Sequence, residues 1–192
     1  MFYHWLFLTL FLVVWVGWLA LWRAMAFNVK AAARSESLGS RLSHLAPLVF
    51  AGGLLAAPHV PLAALDQRFV PLAIWPAALG AALTFAGAAF SIWARFIIAD
   101  NWSSDVEIKR DHELIVAGPY GLVRHPIYTG LLLMFTGTAL AVGEWRGVLA
   151  VAIAALALWR KLRIEESFMR LKFGEAYARY AARTPALVPF VI

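Results

Sequence analysis

Leu72 to Ala99 reads LAIWPAALGAALTFAGAAFSIWARFIIA, and in all of it only Arg95, near the end, is charged. At roughly 1.5 Å of rise per residue, a helix over this stretch exceeds a hydrocarbon core of roughly 30 Å. It is long enough to tilt or to project into the cytoplasm, and Gly80 and Gly87 offer a thin face to a neighbouring helix. Towards the N-terminus, the run from about Trp5 to Phe27 makes a first span. Ala24-Met25-Ala26 imitates a signal-cleavage site, but no Lys or Arg precedes the run and its apolar core is long, which favours a span. A second run, about Leu45 to Leu65, contains Pro47, Pro58 and Pro61 and is expected to be kinked or ragged. Towards the C-terminus, Ile127 to Val142 and Val148 to Trp159 flank Gly143-Glu144-Trp145-Arg146-Gly147, whose composition predicts a helical hairpin. Each arm is near or below the usual minimum of about 17 residues for a span, so the count is four or five, and five is the expectation.

Composition agrees with a bilayer as solvent. The 192-residue chain is 62% hydrophobic and 15% charged, with mean hydropathy +0.74, more apolar surface than one soluble core hides. The fold class is all-α: a multi-span transmembrane bundle with a C-terminal hairpin and a cytoplasmic interfacial helix. One membrane domain covers 1–192, with three spans in 1–99 and a polar loop, hairpin and terminal helix in 100–192.

The net charge of +6 does not point to nucleic acid, because the bases are dispersed between apolar runs. Of the seventeen, fifteen fall on one side of the predicted topology and only Arg68 and Arg146 on the other. The positive-inside bias predicts the N-terminus outside and the C-terminus in the cytoplasm. Alanine and leucine richness leans towards a bacterial inner membrane. With no cysteine, disulfides, thiolate metal sites and a cysteine nucleophile are excluded. His4, His44, His59 and His112 lack ligand spacing, and no metal is expected.

The largest polar insert, Asn101 to Arg124, lies on the predicted cytoplasmic side just before the hairpin. A hairpin returns to the face it left, so Arg124-His125-Pro126 and Glu165-Glu166 are expected to meet. The tail from Arg160 to Ala182 reads as a charged helix along the membrane surface, with Ile164, Phe168 and Leu171 roughly in line. Glu165 and Glu166 point about 100° apart. Glu166 has Arg170 at i+4 as a salt-bridge partner, whereas Glu165 has only Lys161 at i−4 and is freer to meet a ligand. Bland readings stand beside these. His125 can cap the hairpin, Arg124 can snorkel to phosphates, Gly118-Pro119 can be only a turn, and Gly130 can serve only close packing.

The segment HELIVAGPYGLVRHPIYTG, His112 to Gly130, with its RHPxYxG core from Arg124, resembles the signature of the isoprenylcysteine carboxyl methyltransferase family. A second block, EESFMRLKFGEAYARY from Glu165 to Tyr180, is similar to that family's paired glutamates followed by FGxxYxxY, and Arg183-Thr184-Pro185 through Pro189-Phe190 continues the likeness. The resemblance covers roughly Trp102 to Phe190. Gly121 departs from it, standing where many relatives carry a larger, often basic residue. The resemblance implies a membrane-integral methyltransferase using S-adenosylmethionine on a lipophilic or lipidated acceptor such as an isoprenylcysteine carboxylate. It implies cofactor contacts at His112, Gly118, Tyr120, His125, Pro126, Tyr128, Gly130, Glu165 and Glu166. Arg124 and Glu165 would be catalytic, and Arg124, Tyr177 and Arg183 would meet the acceptor. The alternatives are a phospholipid amine N-methyltransferase, a reductase-like enzyme, or a non-catalytic protein of the same fold.

Overall fold

The computed structural model describes residues 2–25, 32–35, 37–99, 107–109 and 114–189. His112 lies outside the described residues. Six α-helices dominate: α1 (Phe2–Ala24), α2 (Leu38–Ala56), α3 (Ile74–Ile98), α4 (Pro126–Val142), α5 (Trp145–Phe173) and α6 (Glu175–Ala181). The helical expectation therefore holds, with one addition. Two short strands, β1 (Ala32–Ser35) and β2 (Glu107–Lys109), pair antiparallel, and β2 lies against α5. Among the described residues of the two polar connectors, this pairing satisfies backbone groups that no helix serves.

Two boundaries differ from the sequence reading. α2 starts earlier than Leu45, because Ser37 caps it, its Oγ accepting from Ser40 N at 3.2 Å. It ends at Ala56, ahead of Pro58 and Pro61, so only Pro47 lies inside it. The second hairpin arm and the tail helix are one helix: α5 runs 29 residues without a break, roughly 43 Å. From Lys161 to Phe173 the chain has no Gly or Pro and many strong helix formers, so nothing stops the helix until Gly174, where φ is +49°. The surface helix expected over Arg160 to Ala182 is corrected accordingly to the charged end of α5 followed by the short α6.

Among the described residues, Ile74–Ile98 is the one helix long and apolar enough to cross a membrane by length and composition, and Thr9–Ala24 and Pro126–Val142 are shorter apolar helices. Helices α3 and α4 form the closest pair, antiparallel, with Gly80 facing Gly137 and Gly87 facing Gly130. A Cβ on any of the four would lie 2.4–2.5 Å from the opposing carbonyl oxygen. α1 packs on α3, and α2 packs on α5. Indole and hydroxyl groups link the helices: Trp18 Nε1 donates to Ser91 Oγ at 2.7 Å, and Trp15 Nε1 to Thr138 Oγ1 at 3.1 Å.

The bundle end that carries the α4–α5 turn is closed by charge. Arg146, only 6% exposed, donates through Nε to Glu144 Oε2 at 2.6 Å and through Nη1 to the carbonyls of Leu54 and Ala57. Arg68 approaches Glu144 at 3.6 Å, and Asp66 lies 3.7 Å from Arg146. Removing one member of a buried ion pair leaves the other charge uncompensated. Arg146→Ala is therefore expected to cost about 3 kcal/mol in a detergent unfolding titration, while Arg68→Ala, at the wetter edge, costs under about 1 kcal/mol. Equal effects would contradict this division.

Candidate functional site

At the opposite end, the chain before α4 turns through the 3-10 segment Gly118–Gly121, with Gly118 at φ +60° against Trp93 and Ile97 of α3. The C-terminal segment is stitched to it by backbone bonds. Arg124 N donates to Pro185 O at 2.8 Å and His125 N to Ala186 O at 3.0 Å. Thr129 Oγ1 donates to Leu187 O at 2.6 Å, and Tyr180 Oη to Tyr120 O at 2.6 Å. Residues far apart in sequence are thereby fixed around the start of α4.

His125 is the N-cap residue of α4, followed by Pro126 at N1, yet its side chain makes no capping bond. The imidazole instead sits between the paired glutamates, Nδ1 3.5 Å from Glu165 Oε2 and Nε2 3.4 Å from Glu166 Oε1. The contact to Glu166 lacks hydrogen-bond geometry, leaving Nε2 buried without a hydrogen-bond partner. The ring stacks on Tyr128, with centroids 5.4 Å apart and planes within 6°. Tyr128 Oη donates to Glu165 Oε1, and Lys161 Nζ stands 4.0 Å from the same oxygen.

Arg124 grips Glu166. Its Nε and Nη2 both approach Glu166 Oε1 at 2.7 Å, while Nη1 donates to the carbonyls of Ala181 and Thr184. Arg170 reaches Glu166 Oε2 at 3.4 Å, the i, i+4 contact expected from spacing. Arg124 thus acts here as a strut between α5 and the C-terminal segment, not as a snorkelling cation. Tyr177 is buried at 2% exposure and Arg183 is exposed, so of the residues expected to meet an acceptor the first is packed under Glu166 and the second faces outward. Pro126 is fully buried, and Gly130 lies against Gly87 in the α3–α4 crossing. Sequence reasoning assigned Arg163 and Ser167 no site role. Both border an open groove of about 460 Å³ along one face of α5 that also touches Glu166, Arg170 and Leu171. Their i, i+3, i+4, i+7, i+8 spacing was the available signal.

Burial by itself disfavours ionisation of each central group, but the opposite charges win. For His125 burial lowers the pKa, and the close carboxylates of Glu165 and Glu166 more than reverse it. For Glu165 burial is outweighed by His125, Lys161 and Tyr128, and its pKa is lowered. For Glu166 burial is outweighed by His125 and Arg124, and its pKa falls to about 2. Glu166's contribution to stability is present above its ordinary value of 4.5 and lost as pH falls towards about 2. The contribution of His125 is complete below its ordinary value of 6.5 and is lost as pH rises through its raised folded value. Thermal stability is thus expected to peak between about pH 4.5 and 6.5 and to decline on the alkaline side. His125→Gln should abolish the alkaline decline; an unchanged profile in that variant would assign it elsewhere.

Comparison with known proteins bears on these residues. The family model described as phospholipid methyltransferase matches residues 75–176. Protein-S-isoprenylcysteine O-methyltransferase B of Arabidopsis thaliana is 34% identical over 92 residues, 45% of this chain and 45% of its own length. The cobalt-zinc-cadmium resistance protein CzcN of Cupriavidus metallidurans is 40% identical over 83 residues, 42% of this chain and 38% of its own. Protein-S-isoprenylcysteine O-methyltransferase of Saccharomyces cerevisiae is 28% identical over 119 residues, 59% of this chain and 48% of its own. The chain spans less than half the length of each of these relatives. These relatives bear out the resemblance carried by the two motif blocks, and the family match covers more than half of the chain: it belongs to the phospholipid methyltransferase family.

Proposed function

We propose that this protein is a membrane-integral methyltransferase that moves a methyl group from S-adenosylmethionine to a lipophilic acceptor, an isoprenylcysteine-like carboxylate. The observation that carries this reading is the imidazole of His125 held between Glu165 and Glu166 at the end of the bundle where α3 and α5 reach the polar loops.

The residues fit such a donor. It needs a flat apolar wall, acidic acceptors for ribose hydroxyls or the amino group, and donors for its carboxylate. The stacked His125 and Tyr128 rings offer the wall, Glu165 is partly exposed, and His125 Nε2 and Tyr120 Oη are buried polar atoms without hydrogen-bond partners. When bound, S-adenosylmethionine supplies a methyl group on a positively charged sulfur. Glu165, fixed by Tyr128, His125 and Lys161, would hold the polar end of the donor. Glu166, clamped by Arg124, would keep His125 charged and immobile. A carboxylate acceptor is already ionised at neutral pH and needs no base, so the protein's task is alignment and exclusion of water.

Five spans, with the N-terminus outside and the C-terminus in a bacterial cytoplasm, belong to the same proposal. Its support is that the ends of α1 and α3 meet, Arg95 donating to Met25 O, while the α4–α5 turn meets the end of α2. Successive helices thus alternate direction. Compartment reporters fused to each terminus test this, and an external C-terminus contradicts it.

The family's description favours one second reading, an acceptor that is a phospholipid amine. Incubating purified protein with methyl-labelled donor and a membrane lipid extract separates the two. A base-labile methyl ester supports the carboxylate, a base-stable N-methyl group supports the amine, and no labelled product contradicts both.

A further inference from the structure

After the long α5 the chain folds only locally. Gly174, at φ +49°, ends α5 and begins the seven-residue α6, and a Cβ built on it meets nothing within 4 Å. Residues 182–189 follow as turns and bends. Within 175–189 the buried residues are Tyr177, Thr184 and Ala186. The charged side chains of this stretch, Glu175, Arg179 and Arg183, are exposed and form no ion pair with any described residue.

The polar bonds that dock this stretch converge on residues 120–129. Pro185 O accepts from Arg124 N at 2.8 Å, Ala186 O from His125 N at 3.0 Å and Leu187 O from Thr129 Oγ1 at 2.6 Å. Arg124 Nη1 donates to Ala181 O and Thr184 O, and Tyr180 Oη donates to Tyr120 O. Ala186 also packs in the buried cluster that holds Tyr120 and Tyr128, with Leu187 against it. The groups beside it are closed off. The side chains of His125 and Glu166 are 9% and 7% exposed, and the Tyr120 hydroxyl is buried without a hydrogen-bond partner. A ligand as large as S-adenosylmethionine reaches them only if something covering them moves.

We propose that residues 175–189 form a strap, hinged at Gly174, that undocks from the start of α4 to admit S-adenosylmethionine and redocks over it. This rests on the methyltransferase reading above. A segment with few buried apolar groups opens at a fraction of the cost of global unfolding. Helices α4 and α5 stay folded meanwhile, because α3 and α2 pack on them independently of the strap. Opening hands the amides of Arg124 and His125 to water, and redocking shields the donor from it. Arg124 is the latch, its planar guanidinium bonding Glu166 on α5 and two carbonyls at the strap at once.

Because the chain has no cysteine, introduced thiols can be addressed alone. In the full chain in detergent or nanodiscs, Thr129→Cys with Leu187→Cys puts one thiol on each side of the docked strap, and a short reducible bis-methanethiosulfonate bridges them. S-adenosylmethionine bound before bridging should dissociate at least about tenfold more slowly, and donor added after bridging should associate at least about tenfold more slowly, with reductant restoring both rates. Each single-cysteine variant treated with the same reagent is the control. Donor exchange through a bridged strap at the unbridged rate overturns the proposal.

Amide-resolved hydrogen exchange on wild type gives a second reading that needs neither variant nor donor. The amides of Arg124 and His125 should exchange at least about tenfold faster than that of Met134 inside α4, through an opening that leaves α4 folded. Exchange of all three at the rate of global unfolding overturns the strap. An opening strap on folded wild type that binds no S-adenosylmethionine refutes the methyltransferase reading instead, and the ligand assigned to the strap with it.

Discussion

Arg124→Ala is expected to be among the most damaging single substitutions in the chain, lowering stability by about 3–5 kcal/mol. The guanidinium neutralises Glu166 through two contacts at 2.7 Å and ties α5 to Ala181 and Thr184, so its loss strands a buried carboxylate and releases the C-terminal segment together. For a chain of this size each kcal/mol shifts the thermal midpoint by about 2–4 °C, so a fall of roughly 6–20 °C is the readout. Arg124→Lys should recover little, because an ammonium cannot reproduce a fork that spans a carboxylate and two carbonyls. Arg124→Ala combined with Glu166→Gln should be less destabilised than additivity requires, because no unpaired charge remains. A midpoint for Arg124→Ala within about 2 °C of wild type would contradict the clamp.

The second large effect lies at the α3–α4 crossing. Gly87→Ala and Gly137→Ala each place a methyl group 2.4 Å from a carbonyl oxygen of the partner helix, and backbone cannot rotate aside as a side chain can. The helices must separate, and about 3 kcal/mol, the upper end of ordinary overpacking costs, is the expected loss. Gly52→Ala and Gly53→Ala are the controls. Nothing lies within 4 Å of either new methyl group, and alanine should stabilise α2 by about 0.5–1 kcal/mol. The crossing also positions the site, because α4 carries His125 at its first turn. Gly130→Ala is therefore expected to weaken donor binding and stability together. Measuring folded yield and melting for all five variants separates crossing from control.

Much of this geometry was legible in the sequence for definite physical reasons. Arg124-His125 and Glu165-Glu166 were expected to meet because a hairpin returns to its starting face, and Glu166 with Arg170 followed from helical spacing. The division of labour between the glutamates was legible only in part. Glu165 has no base ahead of it on the helix, but its partners Tyr128 and His125 come from α4, beyond the reach of local spacing. The strut that Arg124 makes was not legible, because the carbonyls it serves, Ala181 at the end of α6 and Thr184 just beyond it, lie outside the reach of local spacing. The tail was read as a separate surface helix because its charge changes abruptly after Trp159. Helix continuation depends on breakers and propensity, and the first breaker is Gly174.

The inner ends of the glycine pairs teach a related lesson. Gly80 and Gly87 were recognised as a thin face on α3, and the matching spacing of Gly130 and Gly137 on α4 identifies the partner once the helices are antiparallel. Gly130 thus has the close-packing role that the sequence offered beside its place in the RHPxYxG block.

The central claim is that the two motif blocks meet to make a donor site around His125. Isothermal titration of the full chain in detergent with S-adenosylmethionine, at high protein concentration, tests it most directly. The account predicts saturable binding by wild type that weakens at least tenfold in His125→Ala and Glu165→Ala, while Arg68→Ala at the opposite end leaves it unchanged. No binding by folded wild type, or equal binding by all four proteins, would contradict it.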